Sequence, residues 1–151
     1  MIIVGYQGIG KSTISSANDL MIDLESGNFW IDGERPEGWY KIYVNIAEHL
    51  SSQGYTVFLS SHKIVREELN NREIPFCVMA PSLQLKEFWI QKLEDRYNTT
   101  NKEKDYKAWQ NAKQCYEANI LDLASEKYYF PIYNIDYNFL DLISEIKRGF
   151  K

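Results

Sequence analysis

Apolar residues recur along this chain in two rhythms that alternate from one end to the other. Short runs rich in β-branched and aromatic residues predict five strands, at 1–4, 19–24, 55–59, 74–80 and 128–135. Spacings of three and four between them predict helices. The first, 11–17, is short, because Ser15, Ser16 and Asn18 are weak helix formers. The second, 39–51, puts Ile42, Ile46 and Leu50 on one face with Tyr43 and Ala47 beside it, and Gly54 closes it. Others follow at 63–70, 83–97, 105–123 and 139–147. The 83–97 helix turns Leu85, Phe88, Trp89 and Leu93 inward and takes Ser82 as its N-cap. Residues 27–38 are polar and turn-rich, and 98–104 reads as a mobile polar loop. Pro131 stands inside the fifth strand, where a break is one outcome. Strands alternating with helices over 151 residues predict one α/β domain, with a mainly parallel five-stranded sheet and helices on both faces.

One stretch of this pattern carries chemistry. Gly5-Tyr6-Gln7-Gly8-Ile9-Gly10-Lys11-Ser12 fits G-x-x-x-x-G-K-[ST], lies between a predicted strand and a predicted helix, and is followed by Thr13. Its glycines let the loop curl so that successive N–H groups point inward as an anion nest. Gly8, Ile9, Gly10, Lys11, Ser12 and Thr13 are the expected phosphate-binding residues. Lys11 should reach the β- and γ-phosphates of a nucleoside triphosphate, and the Ser12 hydroxyl should ligate Mg²⁺. ATP and Mg²⁺ are therefore the expected cofactors.

Composition narrows the classes. Lys and Arg number 17 against 21 Asp and Glu, a net charge of -4, which disfavours a general nucleic-acid-binding surface. No apolar run is long enough to cross a membrane, and the first strand begins at once, so a cytoplasmic protein is expected. Cys77 and Cys115 fall on different elements, and His49 and His62 lack ligand-like spacing. Neither a disulfide framework nor a zinc site is expected, and both thiols read as core residues.

In parallel sheets ligands bind beyond the carboxyl ends of the strands. The residues there are Asp23 and Glu25, then Ser60 to His62, then Pro81 and Ser82, then Asp136. Asp23 and Glu25 point the same way by strand period. Either can serve a proton transfer or hold water on Mg²⁺, and Glu25 can equally cap the next turn. Asp23, Glu25, Trp30, Arg35 and Arg66 are the candidate acceptor-binding residues. Lys11, Asp23, Arg66 and Arg96 are the candidate catalytic ones, with Arg35 and Arg72 as reserve cations. Arg96 stands where a lid over the phosphates would hinge, and equally where a cation suits a helix C-terminus. Lys102, Lys104 and Lys107 read as a solvated face; Phe29, Trp30 and Trp39 can stack on a base or form a satellite core.

The P-loop, Ile22-Asp23-Leu24-Glu25-Ser26, and Val57-Phe58-Leu59-Ser60-Ser61-His62-Lys63-Ile64-Val65-Arg66 together resemble the small P-loop kinases. These include nucleoside-monophosphate kinases, shikimate and gluconate kinases, and the kinase half of polynucleotide kinases. The chain also looks like small kinase-like proteins encoded by phages of Gram-positive bacteria. The resemblance implies a three-layer P-loop NTPase fold with strand order 2-3-1-4-5 and an acceptor-side insert at about 27–52. It also implies a lid at about 96–107 and adenine near 134–138. The segment 96–107 is poor in arginine beside adenylate kinases. A GTPase would want D-x-x-G and N-K-x-D, and an AAA-type ATPase an acidic pair ending strand 3; neither is present. Three readings remain. One is a kinase for a nucleotide or nucleoside; another is a kinase for a nucleic-acid end or a modified base in DNA. The third is a nucleotide-binding regulatory or interaction protein with little turnover.

Overall fold

The computed structural model describes residues 1–150. Five strands form one parallel sheet in the order β2-β3-β1-β4-β5: β1 (Ile2–Gly5), β2 (Met21–Asp23), β3 (Thr56–Ser60), β4 (Cys77–Pro81) and β5 (Tyr129–Ile132). Six helices flank it: α1 (Lys11–Ser16), α2 (Trp39–Ser52), α3 (Lys63–Asn71), α4 (Lys86–Thr100), α5 (Glu103–Ala124) and α6 (Phe139–Gly149). This is the three-layer α/β arrangement and the strand order that the P-loop resemblance implies, with every pairing parallel. No helix of the described residues is long and apolar enough to cross a membrane.

The three central strands are covered on both faces, which is why their apolar runs are nearly unbroken. The edge strands are shorter. The stretch expected to be a strand at 19–24 contributes only Met21–Asp23 to β2, because Asp19 and Leu20 turn away and Leu20 is exposed. Backbone bonds from Thr56 to Leu20 and from Leu24 to Phe58 continue the pairing at each end. Pro131 does not break β5: it sits opposite Ala80 on an edge strand, where a missing N–H leaves no ladder bond unmade. The fourth strand starts at Cys77 rather than at 74.

Helix registers show where bulk outweighs periodicity. In α2 the buried row is Trp39, Tyr43, Val44 and Ala47, while Ile42 and Ile46, expected inside, face out. Trp39 and Tyr43 bring more area than the two isoleucines, and Phe29 packs edge-on to Tyr43. In α4, Trp89 and Leu93 are buried and Phe88 is not. The predicted mobile loop at 98–104 is instead mostly helix: α4 runs to Thr100, Asn101 adopts a left-handed turn (φ 53°), and α5 begins at Glu103. Buried Asp105 accounts for this, accepting from the Thr100 hydroxyl at 2.5 Å and from Arg96 Nε at 2.9 Å. Ser82 precedes a short 3-10 turn and its hydroxyl makes no capping bond. Cys77 is buried as expected, but Cys115 is exposed at a kink in α5 (φ -133°, ψ 16°).

Candidate functional site

The loop joining β1 to α1 is built by contacts on all sides. Gly8 takes φ 85° and Gly10 φ 105°, both in the left-handed region that a side chain disfavours. A Cβ on Gly5 would come within 2.5 Å of Ile9 Cδ1 and 2.9 Å of Lys11 Cδ, and one on Gly8 within 3.1 Å of Trp89 and Leu93. Trp89 Nε1 donates to the Gln7 carbonyl at 2.8 Å, Gln7 Nε2 donates to the Ala108 carbonyl at 2.9 Å, and the Tyr137 hydroxyl donates to the Ile9 carbonyl at 2.6 Å. Carbonyls thus face outward to protein donors. Among the described residues no backbone bond takes up the N–H groups of Gly8 through Thr13. A run of amides with no internal acceptor, beside a lysine, is the electrostatics of an anion nest.

Lys11 donates from Nζ to the Gly5 carbonyl at 2.7 Å, folded back over the loop. Burial pulls its pKa below the ordinary lysine value, opposed by the charges of Asp23 and Glu25. Asp23 closes β2 beside it. Burial raises the Asp23 pKa above the ordinary carboxylate value, Lys11 pulls it back, and Glu25 adds to the rise. The opposed effects place Lys11, Asp23 and Glu25 in one electrostatic neighbourhood, although β2 ends at Asp23 and Glu25 lies beyond it.

All of these residues line one cleft of about 1310 Å³ at the carboxyl end of the sheet. A single small-molecule site typically takes roughly 300–1,000 Å³, so there is room for a donor and an acceptor. Among the strand-end candidates, Ser60, Ser61 and His62 line it, but Pro81, Ser82 and Asp136 do not. The wall by β5 is formed by Ile135, Tyr137, Phe139 and Leu140, within and beside the segment expected to hold adenine. Tyr137 stacks on Trp89, with Lys92 at 4.4 Å from the Trp89 ring centre.

Across the cleft, the insert after β2 forms a polar cluster. Ser26 is its hub. Its hydroxyl lies 2.9 Å from Ser60 Oγ, 3.3 Å from His62 Nε2 and 3.1 Å from Arg35 Nη2, and its carbonyl accepts from Arg35 Nε at 3.2 Å. Tyr43 ties the ends of β2 and β3: its hydroxyl donates to the Leu24 carbonyl at 2.5 Å and accepts from Ser60 N at 2.9 Å. Burial pushes the Tyr43 pKa up to about 12. Burial, helped by Arg35 and Lys11, pulls His62 down to about 4, so it is neutral at pH 7. Arg35 lies 5.1 Å from the Trp30 ring centre and 4.8 Å from that of Trp39; Lys107 lies 4.5 Å from Trp30. Trp30 therefore meets cations, while Phe29 and Trp39 belong to the core cluster.

The two candidate catalytic arginines line the cleft already engaged. Arg66, 4% exposed, is held by Asp122 and, at 2.7 Å, by Glu126, and also donates to the Ser61 carbonyl. It clamps α3 to the end of α5. Arg96 is bound to buried Asp105. Arg72 pairs with Glu68 at 2.6 Å and is not among the cleft-lining residues. The lysines expected on a solvated face are exposed, and they also border the cleft: Lys104 Nζ stands 3.7 Å from Glu25, and Lys102 and Lys107 line the cleft with it. Periodicity gave no sign of the partners Trp89, Asp105, Asp122 and Tyr137, whose roles come from contacts more than fifty residues apart or from burial.

The oxygen donors of the cleft fit a hard cation such as Mg²⁺. Ser12 sits at the mouth of the nest, Asp23 and Glu25 face the same space, and no group of three or more His, Cys, Asp or Glu among the described residues forms a cage of its own. Mg²⁺ is commonly held in this way, by one or two protein oxygens together with substrate phosphates and water. Compared with models of known protein families and with curated protein sequences, the chain gave no match.

Proposed function

We propose that this chain is an ATP- and Mg²⁺-dependent phosphotransferase that moves the γ-phosphoryl group to a hydroxyl of a nucleotide or nucleoside-type acceptor. The observation that carries the reading is the pairing of an amide nest and Lys11 with a partly desolvated carboxylate, Asp23, in one cleft. The nest and Lys11 hold the β- and γ-phosphates, leaving the γ-phosphorus facing the acceptor side. The acceptor oxygen bonds to that phosphorus as the bond to the β,γ-bridging oxygen breaks; ADP leaves, and the hydroxyl proton passes to Asp23. A raised carboxylate pKa suits this role, since a base is most effective when its pKa approaches the working pH. Magnesium on the Ser12 hydroxyl would neutralise charge on the transferring group. Lys104, Arg35 and Lys107 are the cations nearest the acceptor side, whereas Arg66 serves the scaffold.

A second reading, transfer to a nucleic-acid end, draws support from the basic wall of Lys92, Arg96, Lys102, Lys104 and Lys107. The test is radiolabelled ATP with Mg²⁺ against nucleosides, nucleotides, small hydroxy compounds and DNA oligomers. A labelled acceptor that disappears with Lys11→Ala and Asp23→Asn is expected. Saturable ATP binding with no labelled acceptor would favour the regulatory reading, and no affinity for any nucleoside triphosphate would overturn the proposal.

A further inference from the structure

Charge is sorted sharply within this acidic protein. Nine Lys and Arg line the cleft against four Asp and Glu, leaving eight against seventeen for the rest of the chain. Most of the cleft's arginine charge is spoken for. Arg66 has Asp122 and Glu126, and Arg96 has Asp105.

Arg35 differs. It is half-buried, lines the cleft, and has no carboxylate partner among the described residues. Its fork is nonetheless pinned. Nε and Nη2 hold the Ser26 carbonyl and hydroxyl, and Trp30 and Trp39 lie close by. Burial pulls its pKa below the ordinary arginine value. A partly desolvated guanidinium without a counter-charge carries a cost, and a fork held in place ahead of time loses little freedom on gripping an anion. Lys107 of α5 lies 4.5 Å from the same Trp30 ring centre, with its Nζ 3.2 Å from exposed Glu103, so a second cation borders the ring that Arg35 meets.

We propose that Arg35 and Lys107 form an anion-binding subsite on the acceptor side, so that the acceptor carries a phosphate group of its own and a neutral nucleoside is a poor substrate. This deepens the kinase reading and rests on it for the identity of the occupant, but not for the existence of the subsite. The phosphate can belong to a mononucleotide or to the terminal nucleotide of a DNA strand; the chemistry recognised is the same. Trp30 and Trp39 make the subsite self-reporting, because an anion drawn to Arg35 changes their fluorescence.

The experiment has two parts. Tryptophan fluorescence of the full chain is titrated with thymidine, thymidine 5'-monophosphate, a 5'-phosphorylated DNA oligomer and inorganic phosphate, with and without a non-hydrolysable ATP analogue. Saturable binding of a phosphorylated ligand and not of thymidine is expected, weakened at least about tenfold by Arg35→Ala and by Lys107→Ala, and less by Arg35→Lys. The oligomer and mononucleotide arms separate the two sources of phosphate. Equal binding of thymidine and its monophosphate, no binding of any phosphorylated ligand in the presence of the analogue, or unchanged affinity in both alanine variants would overturn the subsite. In the second part, phosphoryl transfer is measured for the same pairs, with KM for the acceptor expected to rise in Arg35→Ala and KM for ATP to stay level. Phosphate binding at Arg35 in a protein that never binds ATP would sink the kinase reading and leave the subsite standing. ATP binding without phosphate binding would do the reverse.

Discussion

The two ends of the cleft are made differently. The end proposed to hold phosphate is a backbone device: seven consecutive residues from Gly5 to Lys11 curl round, and the N–H groups from Gly8 onward into α1 find no backbone acceptor until Ile14. The end proposed to take the acceptor is a side-chain device, gathered from residues 23 to 107 through Ser26, Arg35, Ser60, His62 and Lys107. A backbone device depends on glycine spacing and one lysine, and tolerates variation elsewhere. A side-chain device depends on every partner arriving together, because each hydroxyl and guanidinium is oriented by the next.

That contrast can be broken from either side. The largest effect is expected from Asp23→Asn, where losing the proton acceptor should cut transfer by about 10²–10⁴ while ATP binding measured by calorimetry persists. Lys11→Ala should cost about 10²–10³ in kcat and weaken ATP binding as well, because Lys11 serves the donor end. If the two variants behaved alike toward ATP, the division between donor and acceptor ends would fail. Arg66→Leu removes the partner of half-exposed Asp122 and of Glu126, and should destabilise the fold by about 2 kcal/mol, read as a lower melting temperature. A loss of turnover at unchanged stability would instead return Arg66 to the chemistry. An effect of similar size should come from pH. His62, at about 4 in the fold and 6.5 when free, takes up its proton more readily in the unfolded chain. Stability should therefore fall as pH drops from about 6.5 to about 4, and His62→Gln should flatten that slope in pH-dependent denaturation.

Electrostatics sharpens the same division. Asp23 must be ionised to take a proton, and its pKa is raised, so the acid limb of kcat/KM should lie above the ordinary carboxylate value. The limb should vanish with Asp23→Asn and persist, moved to higher pH, with Lys104→Ala, because the Lys104 charge helps hold the Asp23 pKa down.

Much of the fold was legible because it is written locally. Alternating strand and helix periods located every strand and α-helix, and the P-loop motif located the turn between β1 and α1. The misreadings share one cause. Ile42 and Ile46 face solvent because Trp39 and Tyr43 claimed the inner side of α2. Residues 98–104 closed into a helical hairpin because Asp105 was buried and needed Thr100 and Arg96 as partners. Arg66 left the list of free cations because Asp122 and Glu126, 56 and 60 residues on, lie against it.

By itself the sequence determined the α/β class, the parallel sheet, the glycine-rich turn between β1 and α1 and the carboxylate that ends β2. These follow from periodicity, glycine spacing and strand alternation, all short-range properties of a chain. Only the tertiary structure decided which charges are paired and which stand alone. That outcome depends on burial and on meetings between distant residues, and it leaves Arg35 without a carboxylate while Arg66 has two.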